Sequence, residues 1–213
     1  MALTRPRAEA DLLLVIDVQN DFCPGGALGV PGGDEVVAVI NRLAPHFQHC
    51  VVTQDWHPAD HLSFASNHAG RQPFETVTLD YGEQVLWPDH CVQGSHGAFL
   101  HRDLDWRGAD LVLRKGFRRA IDSYSAFQEN DKATPTGLAG YLRERGFTRL
   151  FIAGLATDFC VAWTALDAVT EGFGAVLVED ACRAIDLDGS LAAAMSAMTD
   201  AGVAITRSTA ITG

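Results

Sequence analysis

Three side chains of matched chemistry follow short apolar runs in this sequence: Asp17 after LLLVI, Lys115 in RKGF after LVL, and Cys160 in LFIAGLATDFCV. A thiolate attacks carbonyl carbons readily, but the thiol must first lose its proton and the leaving group must gain one. One carboxylate within hydrogen-bond reach performs both transfers in turn, which makes Asp17 the candidate base. Lys115 would neutralise the pair and hold Asp17 in place, favouring the charged forms of Asp17 and Cys160. Thr157 and Asp158 suit the start of a helix, so Cys160 is expected in its first turn, where unpaired N–H groups and the helix dipole favour a thiolate. The same N–H groups would hold an oxyanion. Gly154 and Ala156 let the backbone turn sharply beside it. Taken singly, the three read as a capping Asp, a solvated Lys and a packed Cys; their coincidence at three strand ends points to chemistry. Aspartyl-phosphate phosphatases also place an Asp after the first strand and a Lys later, but they usually add a second Asp two residues on, where this chain has Gln19.

A second constellation begins at TQDWHPADH. If the chain stays extended there, Asp55 and His57 point to one side, because side chains repeat every two residues. A carboxylate and an imidazole held together suit a divalent metal. WPDHC adds His90, and Pro58 and Pro88 stiffen the backbone near these ligands. Two or three protein ligands leave positions for water or substrate, as in functional rather than structural sites. The plainer alternative is a turn hydrogen bond between Asp55 and His57, with His90 packed. His61 and His68 read as surface or supporting residues, and His46, His49, His96 and His101 as solvated.

Elements must position these groups. Apolar runs at 12–16, 50–53, 111–113, 150–153 and 175–178, and a weaker one at 203–206, read as strands. Helical patterns at 34–46, 136–145, 158–170 and 189–200 separate most of them. The alternation predicts an α/β fold: one domain over residues 1–213, a three-layer sandwich whose mostly parallel sheet of about six strands has helices on both faces. Residues 55–110 break the pattern with turn-forming, aromatic and His residues, and read as a long functional insertion carrying the metal site. Ligands bind beyond the carboxyl ends of such sheets, where all three reactive residues fall.

The bulk numbers narrow the class. The chain has 213 residues, 47% hydrophobic and 20% charged, which is ordinary globular composition. A net charge of −11 argues against nucleic acid or an anionic membrane as partner. No window approaches the roughly 18 apolar residues of a membrane span, and MALTRPRAEADLLLVID lacks the features of a signal peptide. Five scattered cysteines without a CxxC pair suit reduced thiols in the cytoplasm.

Together, DVQNDF, TQDWHP, LWPDHCVQGS, RKGF, DSYSAF and AGLATDFCV resemble, in order and over nearly the whole chain, the signatures of nicotinamidases, within the isochorismatase-like cysteine hydrolases. The resemblance implies a catalytic triad of Asp17, Lys115 and Cys160, and metal ligands Asp55, His57 and His90 for one zinc, iron or manganese ion that grips the pyridine nitrogen. It implies pocket walls from Phe22, Trp87 and Tyr124, and a cis peptide at Leu155–Ala156. The backbone amides of Ala156 and Cys160 then form the oxyanion hole. The implied reaction converts nicotinamide to nicotinate and ammonia through a thioester, in NAD salvage, with pyrazinamide as a related substrate. His61 and Ser63 both stand near a position where some relatives have a fourth ligand, and the choice stays open, as do the metal's identity and a homo-oligomeric state. Another amide or carbamoyl hydrolase of the superfamily is the alternative, and a non-catalytic binding protein on this fold a remote one.

Overall fold

The computed structural model describes residues 6, 7 and 9–213. In chain order its elements are β1 (Asp11–Ile16), α1 (Glu35–Leu43), β2 (Cys50–Asp55), β3 (Thr76–Leu79), β4 (Gly82–Val85), β5 (Leu111–Lys115), α2 (Leu138–Glu144), β6 (Arg149–Leu155), α3 (Ala162–Thr170), β7 (Gly174–Arg183), α4 (Ser190–Asp200), β8 (Ala204–Thr206) and α5 (Thr209–Thr212). Six strands form one sheet in the order β5–β2–β1–β6–β7–β8, every neighbour parallel.

Each residue of β1 is buried, so the strand needs cover on both faces, and the side chains divide accordingly. Leu13 and Val15 share a core with Val36, Ile40 and Leu43 of α1. Leu12, Leu14 and Ile16 share the opposite core with Leu138 and Leu142 of α2, Ala162 and Ala165 of α3, and Met198 of α4. The expected three layers are therefore present.

The chain runs from β1 to β2 on one side and, much later, to β6 on the other, so the strand order reverses between β1 and β6. That switch point is where a parallel sheet opens a crevice at its carboxyl edge. The register brings the critical positions level: Ile16 pairs with Gly154, and Asp55 with Lys115. Gly154 has φ of 121°, and a Cβ there would run into the backbone of Ile16. The close approach of β1 and β6 therefore requires glycine at this point.

Several boundaries differ from the sequence expectation. β7 continues past Val178 to Arg183 through a register shift against β6 between Ile152 and Gly154. The helix expected over 158–170 divides into a π-type turn, Thr157–Val161, followed by α3. The 55–110 region is largely irregular, as expected, but also contains the antiparallel β3–β4 hairpin, which its polar composition concealed. Among the described residues no helix is long and apolar enough to cross a membrane.

Candidate active site

Asp17 follows β1 directly, with φ of 48°. Its amide donates to Thr53 Oγ1 (3.1 Å), and that hydroxyl donates back to Asp17 Oδ1 (2.5 Å). Lys115, the last residue of β5, reaches across β2. Its Nζ pairs with Asp17 Oδ2 at 2.8 Å and with Asp55, and it donates to Ser123 O (2.8 Å) and Cys160 Sγ (3.4 Å). Asp17 and Lys115 are fully buried and Cys160 nearly so. Asp17, Asp55 and Cys160 each bring one polar atom within 4.8 Å of the others. Asp17 Oδ2 receives no aligned hydrogen bond, which leaves an acceptor beside the thiol.

Burial dominates the protonation states here. It pushes the Asp17 carboxyl above its ordinary range against the pull of Lys115, with Asp55 adding to the rise. It also pushes the Cys160 thiol well up, with Lys115 opposing and Asp17 reinforcing. Lys115 is held well above its usual value because Asp17 and Asp55 outweigh its desolvation. Lys115 does favour the charged forms of Asp17 and Cys160, as expected, but desolvation and the neighbouring carboxylates outweigh it at both groups, and the resting Cys160 stays a thiol. Thr157 and Asp158 open the Thr157–Val161 turn, which holds Cys160 as expected. Neither Thr157 nor Asp158 caps a helix through its side chain. Asp158 instead accepts from the amides of Ile185 (3.1 Å) and Asp186 (2.7 Å) and from Ser190 Oγ (2.5 Å), tying the nucleophile turn to the loop before α4. The Leu155–Ala156 peptide is cis.

Asp55 ends β2, and His57 and His90 reach it from the connection to β5. His57 Nδ1 lies 2.8 Å from Gly116 O and His90 Nδ1 2.8 Å from Pro88 O. Each ring therefore carries its proton on Nδ1 and turns Nε2 toward Asp55 Oδ2, at 3.5 and 3.9 Å. Backbone carbonyls that fix the outer nitrogen are the arrangement by which proteins orient metal-ligating imidazoles. Burial, reinforced by His57, lowers His90 to about 4, so its Nε2 lone pair is available at neutral pH. One carboxylate and two imidazoles, all buried and with donor atoms within 4.8 Å of one another, fit a divalent transition metal. His61, His57 and Asp122 also cluster. However, both nitrogens of His61 are engaged, Nδ1 with Ser63 Oγ (2.7 Å) and Nε2 with Ile121 O (3.2 Å). His49, expected to be solvated, is half-buried and lies 3.1 Å from Asp110.

Gly116 has φ of 64°, and a Cβ on it would stand 2.5 Å from His57 Cε1. Gly116→Ala is expected to displace that ring and weaken metal binding by about tenfold or more, read by metal titration against a competing chelator.

Asp55 and His90 of the cluster and the Cys160 thiol line one cleft. Phe22, Trp87 and Tyr124, expected as walls, all line it. Phe159, from which the sequence offered no guidance, lies edge-on to Trp87 at 5.0 Å and to Tyr124 at 5.7 Å, completing an aromatic slot. Two further contributors were missed. Asp122 lines the cleft, and its signal lay in DSYSAF, two residues before Tyr124. Gln19 grips the Asp55 backbone at both ends, donating to Asp55 O (2.8 Å) and accepting from Asp55 N (2.8 Å). Its place in DVQNDF, close behind Asp17, was the available clue.

A parallel sheet whose switch point holds a buried thiol, carboxylate and lysine beside a metal-competent cluster defines an α/β protein of the cysteine-hydrolase type. The chain belongs to the isochorismatase domain family, whose model matches residues 11–210. It is 55% identical to a nicotinamidase of Acinetobacter baylyi over 203 residues, 95% of each chain. Its structure is similar to that of PnC1 from L. infantum in complex with nicotinate, with a TM-score of 0.86 and 42% identity over 99% of this chain and 98% of that one. It is also similar to a pyrazinamidase of Pyrococcus horikoshii in complex with zinc, with a TM-score of 0.73 and 34% identity over 92% of this chain and 98% of that one.

Proposed function

We propose that this protein hydrolyses nicotinamide to nicotinate and ammonia, with Cys160 as nucleophile. The observation that carries the reading is the shared cleft: the Cys160 thiol, within reach of Asp17 and Lys115, lines the same aromatic slot as Asp55 and His90, whose donor atoms cluster with that of His57. A flat pyridine carboxamide suits a cleft walled by aromatic rings. The A. baylyi, L. infantum and P. horikoshii proteins support the same substrate class.

Asp17 takes the proton of Cys160 as sulfur attacks the carboxamide carbon, forming the C–S bond. Because the resting thiol is protonated, this transfer belongs to the attack itself. Backbone N–H groups of Ala156 and Cys160 receive the developing oxyanion. Collapse breaks the C–N bond, and Asp17 returns its proton to the departing ammonia, leaving a thioester. Asp17 then deprotonates water, which attacks the thioester; nicotinate leaves, and Cys160 regains a proton from Asp17. Throughout, Lys115 holds Asp17 in position and balances its charge. A divalent ion held by Asp55, His57 and His90, with zinc, iron or manganese as candidates, supplies when bound an electrophilic anchor for the pyridine nitrogen.

We read the chain as a single hydrolase domain in which the β2–β5 connection delivers two of the three metal ligands. Its free cysteines suit the cytoplasm, and pyrazinamide fits the same slot. Acid quenching during turnover, followed by mass spectrometry, tests the covalent step. A nicotinoyl group on the Cys160 peptide is the expected result. Turnover with that peptide unmodified and an adduct on another residue would overturn the assignment.

A further inference from the structure

The β3–β4 hairpin buries one side chain of its eight, Gln84, at 1% exposure. A buried amide is costly unless its hydrogen bonds are met, and here every polar atom is used. Gln84 Nε2 shares its two N–H hydrogens among three acceptors, Asp122 Oδ2 (2.9 Å), Tyr124 Oη (3.1 Å) and Val85 O (2.6 Å). Gln84 Oε1 accepts from Tyr81 Oη (2.9 Å) and Asn130 Nδ2 (3.4 Å). Two of these partners, Asp122 and Tyr124, line the cleft, while Gln84 itself does not.

Tyr124 Oη also accepts from Trp87 Nε1 at 3.1 Å. Both nitrogens can only donate, so the phenol oxygen is their acceptor and its single hydrogen is the valence left over. Among the described residues no protein acceptor takes that hydrogen. Burial keeps the phenol protonated, well above its usual range, with Asp122 adding to the rise. The site therefore contains a hydroxyl donor on the cleft wall, fixed by two N–H groups behind it and unspent on the protein.

We propose that Gln84 is a positioning residue for substrate recognition. It sets Asp122 and the Tyr124 phenol so that the Tyr124 O–H donates to an acceptor on the bound pyridine carboxamide. The inference rests on the hydrolase reading above. It makes the otherwise exposed hairpin the carrier of a specificity element. The polarity of the amide matters: its N–H side faces the Asp122 carboxylate, and a glutamate in its place would set two carboxylates at hydrogen-bond distance.

Two variants test this, Gln84→Met, which keeps the length and removes the hydrogen bonds, and Gln84→Glu, which keeps the shape and reverses the donor. Nicotinamide turnover, nicotinate binding by tryptophan fluorescence, and the rate of Cys160 alkylation by iodoacetamide are measured on each. Loss of a buried hydrogen-bonded positioning group predicts KM raised about tenfold in Gln84→Met and more in Gln84→Glu. Weaker nicotinate binding is expected in parallel, with kcat within about threefold of wild type and the alkylation rate unchanged. KM and nicotinate binding unchanged in both variants would overturn the proposal. So would a joint fall of kcat and alkylation rate with KM unmoved, which marks a merely structural role. A wild-type protein that binds nicotinate without hydrolysing nicotinamide would sink the hydrolase reading alone, and the binding comparison would still decide the role of Gln84.

Discussion

Cys160→Ala is expected to lower nicotinamide hydrolysis by at least about 10⁴-fold, since the covalent route is lost with its nucleophile. The fold has little reason to change. Sγ is a small buried group that accepts a hydrogen bond from Lys115, and that ammonium keeps Asp17, Asp55 and Ser123 O as partners. Truncation of one sulfur is therefore expected to cost about 1 kcal/mol of stability, and nicotinate should still quench tryptophan fluorescence. The pair of readouts separates a missing nucleophile from a damaged site. Activity within tenfold of wild type in Cys160→Ala would mean that water attacks the amide directly, and the covalent mechanism would be wrong.

The second large effect is expected on stability as well as rate. Lys115 is the shared counter-ion of two buried carboxylates, Asp17 and Asp55. Lys115→Met preserves the stem but leaves both acids without their cation. Breaking a buried pair by removing one partner costs about 3–5 kcal/mol, measurable by urea denaturation at pH 7. The sign with pH follows. In wild type, burial raises Asp55 but Lys115 and His57 outweigh it and hold it low, so its contribution is present above the ordinary carboxylate pKa and fades below it. In the variant the orphaned acids titrate above their unfolded values, so the penalty is largest near neutrality and shrinks as pH falls toward about 4. A deficit that stays constant over that range would contradict the picture of Lys115 as counter-ion. Turnover should be lost at every pH, because Asp17 is then no longer held as a base beside Cys160.

Much of this was legible in the sequence because parallel strands are buried on both faces and read as short apolar runs. The runs LLLVI and LFIAG mark β1 and β6, and the reactive residues stand where those runs stop. Strand ends were less legible. β2 and β5 each run on into polar residues, Gln54–Asp55 and Arg114–Lys115, whose placement depends on the pairing of Asp55 with Lys115 rather than on hydrophobic pattern. The state of the thiol was misjudged for a related reason. A helix-start argument is local, whereas desolvation and the approach of two carboxylates arise only when β1, β2 and β6 assemble. The side-chain role of Asp158 was hidden in the same way, since its amide partners come from residues 185 and 186, far along the chain. Gln84 and Gln19 were invisible as functional residues because an amide signals nothing until its partners are known. The Asp55–His57–His90 cluster, by contrast, needed only Asp-x-His spacing and one further His beside proline, and the fold brings one donor atom of each within 4.8 Å of the others.

The most direct test of the account is ammonia release from nicotinamide by the purified protein, measured after chelation and again after restoring zinc, iron or manganese. The account predicts release by the metal-loaded protein, its loss on chelation and its recovery on repletion. No ammonia from a protein shown by elemental analysis to carry its metal would contradict it.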